Sequence, residues 1–155
     1  MKSYKLKILL TLFILLLGAY IINTFFDNRL VYDMGSVELT IIDDDGITLY
    51  SDNLSYDENE SLFDALNHEF MLTCATYTYE NDQSCSYTFN LFGLKNHVIL
   101  GIKSDSFDIM TDWNHTFIKI YVYDDKKYIE ATSGFDYIQL DQYQKIKLVV
   151  EKVGT

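Results

Sequence analysis

Few side chains in this 155-residue chain have the chemistry to form a site. There are two cysteines, Cys74 and Cys85, three histidines, His68, His97 and His115, and one tryptophan, Trp113. Trp113 stands among Asp108, Asp112, Asn114 and His115. A lone Trp in such company reads as an aromatic shelf for a flat ligand or partner, or as a cap on a sheet core, the commoner role. His97 and His115 lack the Cys or carboxylate spacing of a zinc site, and His68 falls on the polar side of a helical stretch. Asp43, Asp44 and Asp45 are consecutive and raise the question of calcium. Calcium takes about six to eight oxygens from a loop with alternating ligands, whereas adjacent aspartates in a tight turn point apart. A solvated turn is the better reading. Neither a nucleophile elbow, a glycine-rich phosphate loop nor HExxH occurs. The chain therefore reads as a non-enzyme, with no catalytic residue, metal or cofactor assigned.

The segment that decides where these residues work is 8–26. It is uncharged and follows Lys2, Lys5 and Lys7. At about 1.5 Å per residue it spans close to the ~30 Å of a bilayer's hydrocarbon core. Flanking lysines put the N-terminus in the cytoplasm. A cleaved signal peptide and a core helix compete with this reading. The apolar run exceeds the usual signal-peptide length and no small-x-small site follows it, and an amphipathic stripe is missing. Leu17-Gly18-Ala19-Tyr20 looks like a bacterial lipobox, but Tyr20 replaces the cysteine that would be acylated. The sequence thus predicts a cytoplasmic head (1–7), a single-pass membrane anchor (8–26), a short linker (27–35) and an extracellular domain (36–155).

All 23 acidic residues lie after residue 26, against nine basic ones, a formal charge of −14. Such a surface repels phosphates, which argues against a nucleic-acid partner. The whole chain has thirteen Tyr and ten Phe, most of them after residue 26, which argues that this acidic part is folded. In an exported domain with two cysteines, a Cys74–Cys85 disulfide is the natural reading, with two free buried thiols as the alternative.

The elements follow from periodicity. Val37, Leu39 and Ile41 alternate, and Asp45-Gly46 before another β-rich run signals a hairpin. Ser61 with Asp64 three residues on resembles a capping box, and Leu62, Phe63, Leu66 and Phe70 share one face, which predicts a helix of about ten residues. From Met71 the period changes to two, predicting strands in MLTCATYTYE, SYTFNLF, HVILGIK and FIKIYVY, a turn at Asp124-Asp125-Lys126-Lys127, and a last strand KIKLVVEK. The order is hairpin, helix, strands and a final strand. It predicts an α+β, β-grasp-like mixed sheet clasping one helix. Phe107, Phe135 and Tyr137 would then join Trp113 as ligand-binding candidates.

Several short motifs in this order carry a resemblance. Ser61-Leu62-Phe63-Asp64-Ala65-Leu66 resembles the helix start of the transcobalamin C-terminal-like domains, found in bacteria as a domain of unknown function. Gly101-Ile102-Lys103-Ser104 is similar to that family's strand leading into its glycine region. Trp113 with the strand Phe117 to Tyr123 resembles its Trp-containing strand and turn, and Ser133-Gly134-Phe135-Asp136-Tyr137-Ile138-Gln139-Leu140 is the closest match. Departures exist: Tyr143-Gln144 stands where the family has Gly-Asp, the stretch after Trp113 is longer, and the cysteines are outside the pattern. The resemblance covers about residues 36–151. It implies a surface binding module, with cobalamin or another small molecule as ligand and a transporter component as partner. The related domain covers one face of cobalamin beside a helical domain, so this chain alone would supply half of such a clamp. A structural or protein–protein interaction domain of the cell envelope is the alternative.

Overall fold

A computed structural model describes Gly18 and residues 34–154, with Tyr79, Phe92 and Trp113 excepted. Among the described residues no helix is long and apolar enough to cross a membrane. The expected head, the anchor (Gly18 apart) and nearly all of the linker lie outside the described residues. The elements are β1 (Gly35–Ile42), β2 (Thr48–Tyr56), α1 (Leu62–Glu69), β3 (Met71–Ala75), β4 (Asn81–Asp82), β5 (Phe89–Leu91), β6 (Leu94–Asn96), β7 (Ile99–Lys103), β8 (Asp108–Met110), β9 (Thr116–Asp124), β10 (Lys127–Glu130) and β11 (Lys145–Lys152). Two 3-10 turns, Phe135–Tyr137 and Leu140–Gln142, precede β11.

The architecture is mixed α+β and rich in strands. A five-stranded mixed sheet runs β10-β9-β11-β1-β2, with β1 and β11 parallel and the other neighbours antiparallel. The remaining strands do not extend it. They form a four-stranded antiparallel sheet, β4-β3-β7-β8, and a β5-β6 ribbon. The expected mixed sheet and single helix are present, and two further sheets stand beside them among the described residues. Alternation explains the main one: Val37, Leu39 and Ile41 on β1 and Ile146, Leu148 and Val150 on β11 are buried, while the residues between them face the other side. Leu62 and Leu66 of α1 and Leu72, Cys74, Ile99 and Ile102 of the second sheet join the same core.

The capping box forms as its spacing predicts. The Ser61 hydroxyl accepts from the Asp64 N–H at 3.2 Å, and the Asp64 carboxylate accepts from the Ser61 N–H and hydroxyl. The helix runs eight residues, and Phe70 closes it by donating its N–H to the Leu66 carbonyl. The aspartate run is a turn: Asp43 accepts the N–H groups of Asp45 (3.0 Å) and Ile47 (2.7 Å), and Gly46 takes φ +82°. Asp44 and Asp45 lean toward Lys152.

Cys74 and Cys85 form a disulfide. It ties β3 to a loop that Asp82 organises by accepting from the N–H and hydroxyl groups of both Ser84 and Ser86. Three predicted strands shorten, HVILGIK only to Ile99–Lys103. MLTCATYTYE ends at Ala75, because Thr76, Thr78 and Glu80 bond one another locally. SYTFNLF contributes only Phe89–Leu91.

Candidate functional site

The candidate site begins where β10 stops. Ala131 donates a last ladder bond to the Ile120 carbonyl at 2.8 Å, and the chain then leaves the sheet. Gly134 permits this departure. A Cβ there would stand 2.2 Å from Asn96 Oδ1, so a larger residue would have to push the Asn96 amide aside for the 131–137 segment to pack on β6. Between this segment, residues 94–99 and the first half of β9 lies a cleft of about 570 Å³. Its apolar lining includes Ile99, Ile118, Ile120 and Phe135, and Leu94 and Tyr137 stand at it about half exposed.

One polar pair is fixed in the wall. Asp136 accepts the backbone N–H of His97 at 2.7 Å through one oxygen and meets ring Nδ1 at 2.6 Å through the other. A carboxylate can only accept, so Nδ1 carries the proton. The imidazole also lies flat on Phe63, ring centres 3.8 Å apart and planes 5° from parallel. The ring therefore has a set position and tautomer, and Nε2 makes no hydrogen bond among the described residues. Tyr137, in the same 3-10 turn as Asp136, accepts the Lys95 N–H through its hydroxyl at 3.1 Å. The two bonds to Asp136 fix a hydrogen-bonding group in the wall, and no Ser, Thr or Cys among the described residues bonds to His97.

The charges beside the cleft are satisfied internally. Lys119 bridges Glu151 (2.9 Å) and Glu130 (3.4 Å), and Tyr121 donates its hydroxyl to Glu151 at 2.6 Å. The bond to Glu151 leads the upward shift of the Lys119 ammonium and also raises the Tyr121 phenol. The same two donors, Tyr121 first, hold the Glu151 carboxyl below its usual range. The cleft thus offers an apolar wall and oriented hydrogen-bonding groups, and the charges of Lys119 and Glu130 on its lining are paired with each other.

Of the sequence candidates, Phe135 and Tyr137 come together here. Phe107 does not. It is 8% exposed and packs in the core with Phe70 (5.8 Å) and Tyr50 (6.1 Å). Trp113 lies outside the described residues. Its neighbour Asp112 accepts the N–H groups of His115 (2.7 Å) and Thr116 (3.1 Å) and binds the His115 ring, which stays exposed. Sequence reasoning missed the role of His97. Its partner is 39 residues away, and only the fold brings the two together. A more polar hollow of about 450 Å³ lies over the second sheet, beside Met71, Gly101 and Met110.

Comparison of the chain with family models, curated proteins and solved structures returned no match.

Proposed function

We propose that this chain is a non-enzymatic binding module, held at the outer face of a cell membrane, that takes its ligand in the cleft at the end of β10. The observation that carries the reading is the cleft itself: about 570 Å³, mainly apolar, with His97 fixed in its wall. Ligand sites typically measure ~300–1,000 Å³ and join an apolar lining to a few placed polar groups. Within the reading, the domain is β-grasp-like and of the transcobalamin C-terminal-like type. The β1–β2 hairpin, the helix after it and the final strand parallel to β1 support this. Residues 8–26 serve as the signal anchor, and the disulfide suits an oxidising exterior. The ligand is a small molecule, with a corrinoid as the candidate that the resemblance supplies, and a neighbouring transporter component is the partner. Tethering beside such a partner raises the effective concentration of the module there.

The test is titration of the full chain in detergent with a panel of cobamides and small apolar molecules, followed by calorimetry and by NMR shifts at the cleft. Saturable binding that Tyr137→Ala weakens about tenfold or more supports the reading. If no compound binds, or if shifts fall only outside the cleft, the small-molecule form of the reading fails.

A second reading, an envelope protein-interaction domain, draws on a different observation. Tyr77, Tyr87 and Phe89 form a chain of ring contacts beside the disulfide-held loop, and Tyr77 is 71% exposed. Cross-linking in cells that captures a partner through Tyr77, and not through Tyr137, would favour it.

A further inference from the structure

The cleft has a wall of unpaired backbone. Ile120 accepts the Ala131 N–H, so its amide and carbonyl face β10. Backbone groups alternate along a strand, so those of Lys119 and Phe117 face β11, and those of Ile118 face the open side where β10 has ended. The Ile118 N–H and C=O find no partner among the described residues. An N–H and a C=O on one residue, pointing the same way from a strand, match the C=O and N–H of an extended residue on a second strand. The opposite residue would carry its side chain on the Ile118 face, toward the apolar lining at Ile99 and Phe135.

We infer that the ligand of this cleft is an extended peptide segment that pairs its backbone with Ile118 and inserts one apolar side chain beside Phe135. The inference rests on the cleft being a binding site and replaces the small molecule by a peptide. Charge narrows it further. Glu130 and Asp136 line or adjoin the cleft, Lys119 is already paired, and the domain is strongly acidic. An acidic segment is therefore disfavoured. The free edge of β2 is a poorer candidate, since Ser51, Asp52 and Asn53 there are exposed and polar.

The experiment uses the full, isotope-labelled chain in detergent micelles and a pool of capped heptapeptides randomised among neutral residues. Matched pools carry acidic residues, or N-methyl groups at alternate amides in either register. The neutral pool is expected to slow hydrogen exchange at the Ile118 amide about tenfold or more, and N-methylation in the pairing register to weaken binding about tenfold. Ile118→Pro removes the donor at an edge position and is expected to abolish peptide binding. If that variant does not fold, exchange at Ile118 in the unaltered chain decides alone. Binding without protection of Ile118, or equal binding of every N-methylated pool, overturns the inference. So does occupancy of the cleft by small apolar molecules with no response to any peptide, although this leaves the binding reading standing. Failure of both peptides and small molecules sinks both.

Discussion

Asp136 holds two donors of one residue, the backbone N–H and the ring nitrogen of His97. Removing the carboxylate strands both in a part-buried place, and an unsatisfied group there costs about 1–3 kcal/mol. Asp136→Ala is therefore expected to lower stability by about that amount in urea unfolding. Asp136→Asn, whose amide oxygen still accepts one bond, should lose less. A loss below ~0.5 kcal/mol for the alanine variant would show that water replaces the carboxylate. Two other aspartates bear on acid behaviour. Hydrogen bonds from Ser84 and Ser86 hold the Asp82 carboxyl at about 2, and bonds from His115, with one from Thr116, hold Asp112 at about 2. Both lie below the unfolded value near 3.8. Their contribution to stability is thus complete above about pH 4 and is lost as pH falls toward 2. Carboxyl NMR should place both midpoints near 2, and Ser84→Ala should move Asp82 upward while leaving Asp112 in place. Midpoints near 3.8 in the unaltered chain would refute the loop geometry.

Two local devices fix the elements around the site. The Ser61 cap starts α1, and the Leu62 N–H continues to the Ile138 carbonyl at 2.9 Å, so the helix start also anchors the chain just after the cleft. Ser61→Ala should cost about 1 kcal/mol and should also speed hydrogen exchange in the turn at Phe135–Tyr137. Exchange unchanged in that turn would mean the two are not coupled. The disulfide spans a separation of 11 residues. By loop entropy it contributes about 3 kcal/mol. Replacing both cysteines by serine should lower the midpoint of unfolding accordingly, while a change under 1 kcal/mol would show that Asp82 alone orders the loop.

Helix, mixed sheet and second sheet share one apolar core, with Leu39, Leu62, Leu66, Ile102, Ile146 and Leu148 all fully buried. Unfolding of residues 34–154 is therefore expected to be cooperative, with coincident transitions by circular dichroism and tyrosine fluorescence. Leu148→Ala, at the centre of β11, should cost about 2–5 kcal/mol. Separate transitions for the two sheets would contradict a common core. The proposed anchor is tested by mass: membrane-extracted protein should retain Met1, and a mature start near Tyr20 or Asp27 would replace the anchor by a cleaved leader.

Sequence alone was enough for whatever depends on near neighbours. The hairpin turn at Asp43 to Gly46, the Ser61–Asp64 cap, the alternation of β1 and β11 and the turn at Asp125 and Lys126 are local geometry written in local spacing. The Cys74–Cys85 pairing was the one disulfide that two cysteines allow, and the structure decides for it over two free thiols. The sorting of strands into three sheets was not legible, since a period of two says which face a side chain takes and not which strand lies beside it. Phe107 shows the limit for single residues: the β-grasp outline made it a companion of Trp113 at a ligand site, yet it packs against Tyr50 and Phe70 in the core. The cleft needed long-range packing for each of its parts. The departure of residues 131–137 over Asn96, the meeting of His97 with Asp136 and the open edge at Ile118 exist only once distant segments are docked against one core.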